Sequence, residues 1–408
     1  MTPTATVPPA ASPPAPPRLA SLDAFRGFVM FLMMAEVLHL CRVAQNLQAA
    51  GAASAVWNFL CHHQDHVEWV GGVLHDLIQP SFSFLVGVAL PFSLASRLAR
   101  GQSKSLLWWH AVWRSLVLIL LGVFLRSTGS NHPNWTFEDT LSQIGLGYSF
   151  LFALGMTSRR TQWIAFGILL VGYWAAFALY RPPADFDFST VGVSAKWLAE
   201  HGHTGFAEHW QKNGNFAWAA DRVILNWFPR PKEWVFNGGG YSTLSFIPTL
   251  ATMLLGLLAG EVLRANHRPK YRLNWLLIAG VVGLASGWVL GVLGICPVVK
   301  KIWTPSWVLF SGGWCCLLLA AFYAIIDVQR LGGWSFPLQV IGMNSIAAYF
   351  MAHEFTGFIG RNVKTHLGQE FFQFAAPAYE PFFHGAAILL GLWLILYWMY
   401  RRKLFLRI

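Results

Sequence analysis

The segment 61–76 reads CHHQDHVEWVGGVLHD and gathers groups that can carry protons or charge. It holds His62, His63, His66 and His75, four of the chain's fourteen histidines, with Asp65, Glu68 and Asp76. An unperturbed imidazole titrates near neutrality, so a histidine beside a carboxylate suits proton transfer. His62 and His66 are four apart, which on a helix could chelate a metal, but no HExxH pattern accompanies them. A solvated polar loop is the bland alternative. From these residues alone a base, a metal site and a plain loop all stand open.

More ionisable groups sit where lipid should be. Ser21-Leu22-Asp23-Ala24-Phe25-Arg26-Gly27 opens an apolar stretch, and Asp23 and Arg26, three apart, share a helix face and can pair. That pair also reads as an N-terminal cap with a structural ion pair. Glu36 and His39 lie deeper in the same stretch, again three apart. The next apolar stretch carries Gln79-Pro80 and then Pro91, prolines that break helical hydrogen bonding and suggest a kinked helix beside a cavity. Arg114 and Asn344 fall inside further apolar stretches, where helix–helix bonding is the common role of a lone Asn. Charges in spans are costly and usually face a cavity or a partner, so together these residues mark a wet interior.

The elements that must hold these groups follow from composition. Of 408 residues, 55% are apolar and only 12% charged, about half the usual charged share. With 21 Trp and 32 Phe, neither a soluble domain nor a disordered chain fits. A helix crosses a bilayer with about 20 apolar residues. Ten stretches qualify, roughly 22–44, 75–96, 105–126, 139–157, 161–180, 241–263, 273–295, 305–326, 335–356 and 380–400. The short connections on one side hold fifteen Lys and Arg, from Arg18 through Arg97, Arg100, Lys104 and Arg268 to Arg407. The short connections opposite hold only a few. The net charge of +11 is therefore a matter of topology rather than nucleic acid. The fold expected is an all-α polytopic transmembrane helix bundle of about ten spans, with both termini cytoplasmic and 61–76 on the far side.

Residues 1–17 carry seven prolines and no charge, and read as a disordered tail rather than a signal peptide. Residues 18–408 form the membrane domain, with 181–240 as its extramembrane loop, either a lid on the membrane surface or a connector with interfacial aromatics. The five cysteines, at 41, 61, 296, 315 and 316, are too few and scattered for a disulfide framework and read as packing residues.

Several of these motifs, in order, resemble one family. SLDAFRG is similar to the SLDxFRG start of the heparan-α-glucosaminide N-acetyltransferase family, also described as a bacterial domain of unassigned function. His66-Val-Glu-Trp69-Val-Gly71, then Asp76-Leu77, Pro80, Phe82, Phe84 and Gly87, resembles its H-x-x-W-x-G, D-L, P, F and G. Pro297-Val-Val-Lys300-Lys301-Ile-Trp303-Thr304-Pro305-Ser306 resembles P-x-x-K-x-L-W-T-x-S, and Gly342-Met343-Asn344 resembles G-M-N. The pattern departs at Val37, at Ser142-Gln143 and at Phe236-Asn237-Gly238-Gly239.

The resemblance implies a transmembrane acyltransferase in a bacterial inner membrane. It would take acetyl-CoA as cytoplasmic donor and acetylate an amino sugar or glycan on the far side. His66 falls on the family's active-site histidine. Asp76 would orient it or hold the acceptor, Asn344 would donate to the thioester oxygen, and Asp23, Arg26, Glu36, Trp69 and Lys301 would contact substrate. Arg97, Arg100, Lys104 and Arg268 are available for the phosphates of CoA. The partners expected are the bilayer, acetyl-CoA, the acceptor and a second copy of the chain in a homodimer, with no nucleic acid and no metal. A transporter or lipid-handling protein, or an inactive family member, is the alternative, although no inverted repeat relates the two halves.

Overall fold

The computed structural model describes residues 19–406. The tail 1–17, Arg18 and Arg407 lie outside the described residues, and with them the expected disordered tail and two of the fifteen basic residues. The chain runs through α1 (Ala20–Met34), α2 (Leu40–Ala49), α3 (Ala55–Gln64), α4 (Ile78–Ala99), α5 (Lys104–Ser127), α6 (Thr140–Gly155), α7 (Arg159–Leu179), α8 (Ala195–His201), α9 (Phe216–Ile224), α10 (Phe246–Arg264), α11 (Pro269–Val292), α12 (Pro305–Phe322), α13 (Phe336–Met343), α14 (Ser345–Glu354), α15 (Thr356–Leu367) and α16 (Glu380–Arg401). No strand forms among the described residues. This is an all-helical, polytopic membrane bundle.

Eight helical stretches among the described residues are long and apolar enough to cross a bilayer. They match eight of the ten expected spans within a few residues. The other two expected spans exist as helices but differ in kind. The fourth is α6, whose 16 residues reach only about 24 Å. Asp139 starts it, its carboxylate accepting from the Leu141 and Ser142 N–H groups, and α5 and α10 pack on it. The ninth is divided at Asn344 into α13 and α14. The first span also breaks: α1 ends at Met34, and left-handed His39 turns the chain into α2.

Small residues let the helices approach closely. A Cβ on Gly87 of α4 would lie 1.8 Å from the Met253 carbonyl oxygen of α10, and one on Gly256 would lie 2.0 Å from that of Phe84. The same device joins two sequence motifs. A Cβ on Gly27 would fall 1.7 Å from the Leu338 carbonyl oxygen, and one on Gly342 would fall 1.9 Å from that of Asp23. SLDAFRG and Gly342-Met343-Asn344 are thus the two halves of one packing joint.

The connections α4–α5, α6–α7, α10–α11 and α12–α13 and residues 402–406 sit at one end of the bundle. At the other end α1 finishes, α4, α6, α10, α12 and α16 begin, and the cap 181–240 is attached. The cap is a folded unit, with Val191, Val193 and Trp218 forming one cluster and Trp210 packing against Phe177 and Trp69 in another. The cysteine reading is corrected at two positions: Cys41 and Cys61 are disulfide-bonded. Spacing of 20 residues hid the pair, because only the fold-back of α3 on α2 brings the sulfurs together. Gln64 reinforces this hairpin, accepting from Leu40 N–H at 2.7 Å and donating to the Ala35 carbonyl at 2.7 Å.

Candidate functional site

Two loops build the site. The first, 65–77, leaves α3 and enters α4; the second, 293–304, joins α11 to α12. An antiparallel bridge between Val70 and Val299 holds them together, with Gly71 N–H donating to the Val298 carbonyl at 2.9 Å. Gly71 has φ +106°, which favours glycine. In the second loop the Thr304 hydroxyl oxygen accepts from Val299 N–H at 3.0 Å and caps α12 at Trp307. Ser306 donates to the Pro297 carbonyl at 2.6 Å. The Thr and Ser of the sequence element therefore shape the turn that presents Lys300. Trp69 locks the first loop to the cap, its indole N–H donating to the Trp210 carbonyl at 3.2 Å.

Within this frame Asp76, fully buried, receives four donors. Its Oδ2 accepts from the N–H groups of Val73 (3.2 Å) and Val67 (3.4 Å). Its Oδ1 lies 2.7 Å from His66 Nδ1 and 3.0 Å from Lys300 Nζ. A carboxylate only accepts, so His66 carries its proton on Nδ1 and donates to Asp76. The 3.2 Å approach of Lys300 Nζ to His66 Nδ1 is then two donors meeting at one oxygen. Among the described residues Nε2 has no hydrogen-bond partner, and the His66 side chain is 41% exposed while that of Asp76 is 1% exposed. An imidazole anchored at one nitrogen and open at the other is built to accept a proton there. Burial lowers the pKa of Lys300 from the ordinary lysine value, and the Asp76 charge works against that shift.

His66 opens on a cavity of about 1040 Å³, at the upper end of ordinary ligand pockets. Glu36, His75, Lys300, Tyr241, Arg126 and Arg361 also line it. His75 Nε2 sits 3.1 Å from Glu36 Oε1, and the His66 and His75 rings are 4.7 Å apart. Arg126 pairs with Glu138 at 3.4 Å. Asn237 accepts from Gly239 and Tyr241 N–H and so shapes the turn that leads to Tyr241.

Not every residue singled out by sequence reaches this place. His66, Asp76 and Glu36 do. Trp69 stands behind the loop as its anchor, and Lys301 points along the Tyr241 ring, 5.8 Å from its centre. Asn344 is buried and bonded elsewhere: its amide donates to the Leu404 carbonyl at 2.9 Å and its oxygen accepts from Leu406 N–H at 3.1 Å. That ties residues 404–406 into the bundle, and Asn344 does not line the cavity that His66 opens on. Asp23 and Arg26 pair at 3.5 Å near the start of α1, about 20 Å along the axis from Glu36. Arg97, Arg100, Lys104 and Arg268 belong to the basic end. Arg97 is roughly 28 Å along α4 from Ile78 at the cavity. His62 and His66 share no helix, because α3 stops at Gln64.

Sequence reasoning passed over Lys300, His75, Arg126 and Arg361. Lys300 had a signal, since it and not Lys301 occupies the Lys of the P-x-x-K element. His75 was counted with its neighbours but had no motif. Arg126 and Arg361 carried none.

No family model matches the chain. Among curated proteins it is 26% identical over 442 aligned residues to "Heparan-alpha-glucosaminide N-acetyltransferase" of Homo sapiens, covering 96% of this chain and 60% of that protein. With the protein of the same name from Mus musculus it shares 25% over 383 residues, 83% of this chain and 53% of that one. The chain thus spans little more than half the length of the relatives it matches. Over most of its length, then, the chain is similar to heparan-alpha-glucosaminide N-acetyltransferases at 25–26% identity.

Proposed function

We propose that this multi-pass membrane protein is an acyltransferase that moves an acetyl group from cytoplasmic acetyl-CoA to the amine of an amino sugar or glycan on the far side. The observation that carries the reading is His66, held by Asp76 with Nε2 open to the large cavity, at the position of the family's active-site histidine. Thioester aminolysis needs an unprotonated amine, charge stabilisation at the carbonyl oxygen and a proton for the leaving thiolate. His66 Nε2 takes the proton that the amine loses as its nitrogen bonds to the carbonyl carbon. The same proton serves the thiolate when the carbon–sulfur bond breaks. Asp76 fixes the ring and its tautomer. Lys300 supplies positive charge beside the imidazole, the part once expected of Asn344.

The phosphates of the donor need cations. Within the cavity Arg126 and Arg361 are suited to them, while Arg97, Arg100, Lys104 and Arg268 stand where a donor arriving from the cytoplasm first meets the protein. The location proposed is the inner membrane of a bacterium, with the basic end of the bundle in the cytoplasm. The disulfide at the cavity end supports that orientation, because disulfides persist in oxidising compartments.

The test is release of CoA thiol from labelled acetyl-CoA by the purified protein, screened against amino sugars and cell-wall precursors. Release that depends on an acceptor is expected. No release with any acceptor returns the chain to the transporter or lipid-handling reading.

A further inference from the structure

We propose that the Glu36–His75 pair is a second proton-accepting site, which lets the protein bind its acceptor as the ammonium ion and strip the first proton before transfer. This rests on the acyl-transfer reading and adds a substrate form to it. An aliphatic amine is largely protonated near neutrality, and its nitrogen cannot attack until a proton has gone. The net reaction, R–NH3⁺ plus acetyl-CoA giving R–NH–acetyl, CoA–SH and H⁺, takes two protons off nitrogen. One goes to the thiolate sulfur. The other needs a separate place, and His66 can serve only one of them at a time.

The geometry offers that place. His75 Nε2 and Glu36 Oε1 are 3.1 Å apart, and the His75 ring is 4.7 Å from that of His66. The exposures are complementary: the His75 side chain is 7% exposed, whereas that of Glu36 is 58% exposed. Glu36 therefore shows carboxylate oxygen to the cavity, where it can dock an ammonium group. His75 backs it as the group with which the proton is shared. The left-handed turn at His39 and the Gln64 clamp on Ala35 hold Glu36 at the end of α1 and out of a regular helix. The charged groups facing the pair are His66 and Asp76 on the first loop, Lys300 on the second and His353 on α14. With Lys300 bonded to Asp76 and Arg126 to Glu138, Glu36 is an exposed cavity carboxylate that an incoming cation can meet.

In sequence, the acceptor's ammonium docks on Glu36 and passes a proton to the Glu36–His75 pair. The free amine then attacks the carbonyl carbon, the carbon–sulfur bond breaks, and the second nitrogen proton moves through His66 to sulfur. The pair returns its proton to water.

Glu36→Gln and His75→Ala test this, with two readouts. The first is calorimetric binding of glucosamine without donor, against uncharged N-acetylglucosamine. Glu36→Gln should weaken glucosamine binding at least tenfold below the amine's pKa and leave N-acetylglucosamine unchanged. The second is the pH profile of kcat/KM for transfer to glucosamine. Two pH units below the amine's pKa only about one molecule in a hundred is unprotonated, so each variant should lose up to about 100-fold there. At high pH both should approach wild type. A loss of equal size at every pH, or unchanged glucosamine binding in Glu36→Gln, overturns the proposal while leaving acyl transfer at His66 intact. Absence of transfer in the wild type, with the binding difference retained, removes the acyl-transfer reading and not the ammonium site.

Discussion

At the scale of single residues, one buried carboxylate serves two cations. Asp76 orients His66 and neutralises Lys300 with the same oxygen. Removing its charge should therefore do two separable things. Asp76→Asn should slow transfer by on the order of 10²–10⁴-fold, because the imidazole loses its anchor. It should also cost about 3 kcal/mol or more, because Lys300 is left charged and buried without a partner. Adding Lys300→Met should restore the melting temperature and not the rate. Recovery of the rate in the double variant would show that Asp76 is needed for packing alone. His66 and Asp76 were singled out in sequence by the H-x-x-W-x-G and D-L resemblance, since type and spacing alone left a base, a metal site and a plain loop open. The fold brings the two within 2.7 Å. Lys300 was missed by one position, because a Lys-Lys doublet does not say which side chain turns inward. The backbone partners of Asn344 were not legible for a physical reason: Leu404 and Leu406 lie about sixty residues downstream, where no local pattern points.

Among the elements, apolar length revealed the long membrane helices, with ends read within a few residues, and missed the short helices α3, α8, α9 and α15. What stayed hidden were interruptions and pairings: the turn at His39, the division at Asn344 and the Cys41–Cys61 link. Each depends on a partner distant in sequence. The cap was the least legible element, since its aromatic residues suit a membrane surface and a small core equally. It also contains a buried carboxyl. Burial raises the pKa of Asp221 to about 7, and nearby Glu138 adds to the shift while the bond from Thr243 N–H opposes it. An acid whose folded pKa lies above its unfolded value holds an extra proton in the folded state between those values. Stability from Asp221 is thus present at low pH and lost as pH rises from about 4 to about 7, by up to roughly 4 kcal/mol. Amide exchange in α9, corrected for its intrinsic pH dependence, should show more protection at pH 5 than at pH 8. Asp221→Asn should flatten that difference; an unchanged difference would assign it to another group.

For the molecule as a whole, the bundle has two unlike ends. One carries the basic connections, and the other carries the cap, the disulfide and the cavity. Reporter fusions at Gly101 and Gly214 should report opposite sides of the membrane, and the same side for both would remove the proposed orientation. Such a division suits a reaction whose donor and acceptor come from different compartments. The measurement that bears most directly on the account is acetyl transfer by purified protein carrying His66→Ala, beside His62→Ala as its neighbour in sequence. His66 is exposed and its loop is held by Trp69, Asp76 and the Val70–Val299 bridge, so the variant should keep a melting temperature near wild type. It should lose transfer by about 10²–10⁴-fold, while His62→Ala keeps it. Full transfer by a folded His66→Ala protein would contradict the account.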